Sequence, residues 1–168
     1  MANTAATRGT AEGRLRTLLL LLSATVFALT VIELILGNHT QEVWQLVPFA
    51  LCGAGLAVVL LVLLRPTRST LWLLRGVMAV VAFGTVLGMW QHFAGDLAFQ
   101  REIRPNADNW TLIENAIHGA APLLAPGILA LGAGIALLAT YGHPALQPVV
   151  EEPRLPAKPR VVPQAQGR

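Results

Sequence analysis

Apolar residues in this chain come in four long runs rather than in the two-residue alternation of a half-buried strand. The runs cover residues 17–36, 43–64, 71–93 and 117–141. Each reaches the roughly 20 residues that an α-helix needs to cross a hydrocarbon layer about 30 Å thick. Nothing charged occurs across the second run, and only Arg75 interrupts the third. The pattern predicts an all-α membrane protein, a four-helix up-and-down transmembrane bundle. Its expected organisation is a flexible N-terminus over 1–13, a transmembrane domain over 14–142 and a disordered proline-rich tail over 143–168.

The connections differ in kind. Gly37-Asn38-His39-Thr40 has the composition of a tight turn, and Arg65-Pro66 stops the second helix because proline has no amide proton to donate. The third connection is longer. Its first part, 95–104, reads as a helical continuation ending before Pro105, with Leu97, Phe99 and Ile103 suited to an interfacial position. Thr111 and Glu114 have the spacing of a capping box that would open the fourth helix, and Pro122 and Pro126 would kink it. Beyond His143, six prolines recur among charged residues, a composition that favours extended polyproline-II conformations over a packed core.

Charge sets the expected orientation. Arg8, Arg14, Arg16, Arg65, Arg68, Arg75, Arg154, Lys158, Arg160 and Arg168 would share one side, leaving only Arg101 and Arg104 on the other. Cytoplasmic flanks retain positive charge during insertion, so both termini are expected in the cytoplasm, in a setting such as a bacterial inner membrane. Arg14 and Arg16 precede the first run as in a signal peptide. That run is longer than a signal core, however, and no small-residue cleavage site follows, so it is read as a retained helix. Trp44, Trp72, Trp90, Trp110 and Tyr141 fall near the ends of runs, where interfacial anchors belong.

The net charge of +3 would suit nucleic acid only if the basic residues formed a stripe interleaved with aromatics. They flank the apolar runs instead, so the expected surroundings are lipid and membrane-protein partners or further copies of the chain. A single cysteine, Cys52, excludes an intrachain disulfide and a multi-cysteine zinc site. Asn38-His39-Thr40 matches a glycosylation sequon but lies in a turn too close to the membrane to serve as one.

Helices in lipid pack through small residues. Gly84 and Gly88 form such a pair on the third run, and Ala50, Gly53, Ala54 and Ala57 a stripe on the second. On the fourth the stripe is Gly127, Ala130, Gly134 and Leu138. On the first run, Ser23, Val26, Thr30, Glu33 and Gly37 share a face, and Glu33 is expected to turn toward the bundle and find a partner.

Up-and-down threading gathers Glu33, His39, Glu42, His92, Asp96, Glu114 and His118 at one end. His92 with Asp96, and Glu114 with His118, have the i, i+4 spacing that puts two side chains on one helix face. Imidazole nitrogen and carboxylate oxygen together suit a divalent metal, with Glu33, His92 and His118 the candidate ligands. His92 and His118 would also suit a non-covalent b-type haem. The bland reading is a hydrogen-bonded structural cluster with no cofactor. No nucleophile-base set, phosphate-cradling loop or HExxH occurs. The expected function is therefore a non-catalytic membrane subunit or scaffold. A metal-, haem- or quinone-binding module and a small oligomeric permease are the alternatives.

Overall fold

A computed structural model describes residues 2–119 and 126–147, with side chains from residue 11 onward. Among these residues the chain is helical, without strands. Helix α1 spans Ala2–Leu36, α2 Val47–Leu64, α3 Arg68–Ile103, α4 Asn109–Ile117 and α5 Gly127–Ala139, with 3-10 turns at Val43–Leu46 and Pro144–Leu146. Three stretches, Ala11–Leu36, Val43–Leu64 and Arg68–Ile103, are long and apolar enough to cross a membrane, and Gly127–Ala139 is a shorter apolar helix.

Local chemistry explains most of the boundaries. Asn38 takes a left-handed backbone (φ 56°), which Asn tolerates better than most residues, and this reverses the chain after α1. Pro48 falls in the first turn of α2, where its missing amide costs nothing. Thr67 caps α3 by accepting from the Thr70 amide at 3.2 Å, and α3 continues to Ile103, two residues short of Pro105.

Three boundaries differ from expectation. Helix α1 begins at Ala2, ahead of the apolar run that starts at residue 17, since the chain has no proline before Pro48 to interrupt a helix. Helix α4 is capped by Asp108 and not by Thr111, because the Asp108 carboxylate accepts from the amides of Trp110 and Thr111 at 3.0 and 3.1 Å and from the Thr111 hydroxyl at 2.7 Å. The fourth apolar run does not begin as a continuation of α4, which ends at Ile117 with His118 as its C-cap. Helix α5 starts only after Pro126. Pro122 and the proposed kink there lie outside the described residues, as does the tail from 148 onward.

Packing centres on one aromatic ring. Phe27 of α1 is fully buried, and a Cβ at Gly55 of α2 would stand 2.9 Å from its ring carbons, while one at Gly132 of α5 would stand 3.4 Å away. One turn before Phe27, the Ser23 hydroxyl donates to the Gly132 carbonyl at 2.8 Å. Higher up, Leu51 of α2 seats on Gly84 of α3, where a Cβ would be 2.5 Å from its Cδ1. Gly88 takes Pro126 in the same manner at 3.2 Å. Gly84 and Gly88 thus serve contacts within the chain. Ser23 and Thr30 are buried on α1, whereas Glu33, expected on the same inward face, is exposed.

The small-residue stripes of α2 and α5 turn the other way from expectation. Ala50, Gly53, Ala54 and Ala57 are exposed, and α2 packs instead through Cys52, Gly55, Val58, Val59 and Val62. Helix α5 packs through Leu129, Gly132, Ala133, Ala136 and Ala139, leaving no neighbour within 4 Å of a Cβ at Gly127 or Gly134. Both helices are apolar all round, so hydropathy alone did not single out the inward face. Gly55→Leu should therefore drive a side chain into the Phe27 ring and destabilise the fold by about 1–3 kcal/mol, the usual range for overpacking. Gly53→Leu should leave thermal unfolding within about 0.5 kcal/mol of wild type.

Candidate functional site

The two ends of the helical assembly treat their polar groups differently. At one end, two arginines close onto the C-terminus of α5. Arg75 of α3 donates through Nε to the Thr140 hydroxyl at 3.0 Å and through Nη2 to the Thr140 carbonyl at 3.4 Å, with its guanidinium 5.1 Å from the centre of the Trp72 ring. Arg16 of α1 donates to the Gly142 carbonyl at 3.1 Å and pairs with Glu12 at 3.5 Å. Gly142 is left-handed (φ 58°), the usual conformation of a residue just past a helix end. Cations here face the negative end of the α5 dipole and bond carbonyls at its C-cap and in the turn just beyond it.

His143 completes this end. Its Nδ1 accepts from the Ala145 amide at 3.2 Å, which requires the neutral ring. Burial, together with the nearby Arg16 charge, holds its pKa below the ordinary imidazole value.

The opposite end carries the residues that the sequence marked. Helix α3 projects past the apolar run, and α4 folds back against this projection with Leu112 and Ala116 buried. Asp96 and Gln100 sit one turn apart on α3 and are only 9% and 8% exposed. Phe99 and Ile103 on the same stretch are exposed. The projection thus turns Asp96 and Gln100 inward while Phe99, Ile103 and the charged Arg101 and Glu102 face outward. Gly119, just past α4, lies flat on the Asp96 carboxylate, where a Cβ would come within 2.6 Å of Oδ2.

The sequence-derived cluster does not come together around this point. Glu33, Glu114 and His118 are exposed, His92 is half-buried and Asp96 is buried. The His118 ring engages the backbone carbonyl of Glu114 at 2.9 Å, not its carboxylate. His92 and Asp96 form no ion pair, since the salt bridge present among the described residues is Arg16–Glu12. No three His, Cys, Asp or Glu side chains among the described residues group as metal ligands. Helical spacing placed each pair on one face, but those faces point in different directions.

Sequence reasoning passed over Gln100, Gly119, Thr140 and His143. Arg75 was visible as the one charge in its apolar run, and that isolation was the signal that it needed an acceptor. Gln100 carried a weaker signal, its i, i+4 spacing from Asp96. Comparison with protein-family models, curated proteins and solved structures finds no match to this chain.

The sign of the pH response at the arginine end follows from His143. A folded-state pKa below the unfolded one gives stability that is fully present above the ordinary imidazole value and is lost as pH falls through the lowered value. Acidification should therefore lower the amide protection factors, taken relative to the intrinsic exchange rate at each pH, at Ala145 and Leu146, and His143→Gln should flatten this response.

Proposed function

We propose that the chain is a non-catalytic integral membrane subunit or scaffold. In this reading α1, α2, α3 and the run ending in α5 form a four-helix up-and-down transmembrane bundle, with both termini in the cytoplasm and α4 folded over the outer end. Several observations support a lipid setting. Leu18, Leu22, Leu29, Ile32 and Ile35 of α1 are exposed, as are Val80, Phe83, Val86 and Leu87 of α3. Such continuous apolar surface is foreign to a soluble monomer. Trp44, Trp72, Trp110 and Tyr141 are exposed near the ends of helices and Trp90 near the end of the apolar part of α3, where amphipathic rings favour a membrane-water boundary. The arginines Arg16, Arg65, Arg68 and Arg75 gather at the end assigned to the cytoplasm.

The observation that carries the subunit reading is the outward placement of small residues. Ala50, Gly53, Ala54 and Ala57 offer close backbone approach on α2 but contribute nothing to the chain's own core. A second such surface is the shallow apolar groove of about 540 Å³ on α5, floored by Ala130 and Gly134 and edged by Leu131 and Tyr141. Small-residue faces are what membrane helices use to dock onto one another. Glu33, exposed near the end of α1, is an ionisable group beside hydrocarbon, which a docked neighbour would shield. The partner is accordingly another membrane helix, from a different protein or from a second copy.

Native mass spectrometry after gentle solubilisation tests this reading directly. A defined complex is expected, and Gly53→Leu or Gly134→Leu should weaken it while leaving thermal unfolding unchanged. A monomer in every detergent and expression setting would exclude the proposal.

A further inference from the structure

Six polar or charged side chains are buried among the described residues: Ser23, Thr30, Thr85, Asp96, Gln100 and Thr140. The four hydroxyls all find acceptors. Ser23 bonds the Gly132 carbonyl, Thr30 the Val26 carbonyl, Thr85 the Val81 carbonyl and Thr140 the Leu137 carbonyl, at 2.8 to 3.0 Å. Asp96 and Gln100 do not follow this rule. Asp96 Oδ2 and Gln100 Oε1 are shut off from solvent and have no hydrogen-bond partner among the described residues. An ionised carboxylate and an amide oxygen both only accept, so with Asp96 charged neither atom donates to the other.

The obvious donors nearby are already engaged or turned away. The Gly119 amide, adjacent to the Asp96 carboxylate, donates to the Ala116 carbonyl at 3.3 Å, and the His118 amide donates to the Glu114 carbonyl at 3.2 Å. Arg101 and Arg104 are exposed and form no ion pair with Asp96. Gly119 follows the C-terminus of α4 directly, so the negative end of that helix's dipole adds to the unbalanced negative potential. Buried charges in proteins are paired or bind metal ions, and this carboxylate lacks a charged partner among the described residues.

We propose that Asp96 and Gln100 form a binding site for one alkali-metal cation beneath α4. The donors are hard oxygens, the class that takes hard cations and not transition metals. A single carboxylate balances a single positive charge, whereas a divalent ion would need further acidic ligands that the described residues do not bring to this point. Gln100 Oε1 supplies a neutral ligand one turn along the same helix. The missing side chain at Gly119 lets the backbone close over the carboxylate, which an alanine there would prevent. This site shares Asp96 with the cluster marked in the sequence but joins it to Gln100 instead of Glu33, His92, Glu114 and His118, and it does not depend on how the chain associates with partners.

The test is thermal unfolding of the purified full-length chain in NaCl or KCl against choline chloride at equal ionic strength. The melting temperature should rise saturably with the alkali salt, as expected for a ligand that binds the folded state. Asp96→Asn should abolish the increment while melting no lower than wild type in choline. Gln100→Leu should shift the half-saturating concentration upward. In parallel, wild-type protein should broaden the sodium-23 resonance, and added K⁺ should reverse the broadening, a readout that holds even if a variant fails to accumulate. The proposal is overturned by the absence of an alkali-specific increment or of sodium broadening, or by an undiminished increment in Asp96→Asn. It is equally overturned if Ca²⁺ or acidification alone reproduces the stabilisation and Na⁺ and K⁺ do not.

Discussion

The fit of Phe27 between two glycines is the constraint on which the helical assembly rests. A Cβ at Gly55 would press into the ring itself, and one at Gly132 would crowd Val26 beside it, so glycine at both positions lets α2 and α5 close on α1. The ring fixes the depth at which α2 and α5 meet α1, and the Ser23 hydrogen bond to Gly132 fixes the rotation of α5 about its axis. With that level set, Leu51 falls opposite Gly84 and Pro126 opposite Gly88. These are shape constraints. They would operate as well in lipid as in water, because contact between apolar surfaces in lipid gains little from water exclusion and depends on close packing.

Above and below this level the ends diverge. The arginine end is chemically closed, with two guanidiniums bonded to carbonyls of the turn that follows α5 and a neutral imidazole seated on a backbone amide. At the other end α4 lies over a carboxylate and an amide that lack partners among the described residues. One end reads as a structural clasp and the other as the place where chemistry beyond packing is concentrated.

How much of this the sequence disclosed depends on the kind of information each residue carries. Helix existence was legible because long apolar runs and the stops at Arg65-Pro66 and before Pro105 are local signals. Which face turns inward was not. On α2 the Gly55 face and the Gly53 face are both small and apolar, and only the position of Phe27 on another helix distinguishes them. Asp108 and Thr111 are both good N-caps, and the choice between them rests on a carboxylate that can hold two amides and a hydroxyl at once. For the candidate site, Asp96 was marked through its spacing from His92, yet its burial comes from the return of α4, a long-range event. Glu33 was expected to be buried because charge in lipid is costly. It lies exposed on the single chain, because the inward face of α1 is taken by Ser23, Phe27 and Thr30.

The bond from Arg16 to Gly142 spans 126 positions in the chain. Helix α1 is synthesised well before α5, so its guanidinium meets the carbonyl it serves only after the intervening helices have been made. In the interval, Phe27 has only Gly55 to rest against and Arg75 has no Thr140. A nascent chain stalled before α5 would therefore leave the Phe27 ring half covered and Arg75 without its acceptor, an unfinished surface for quality-control proteases to act on.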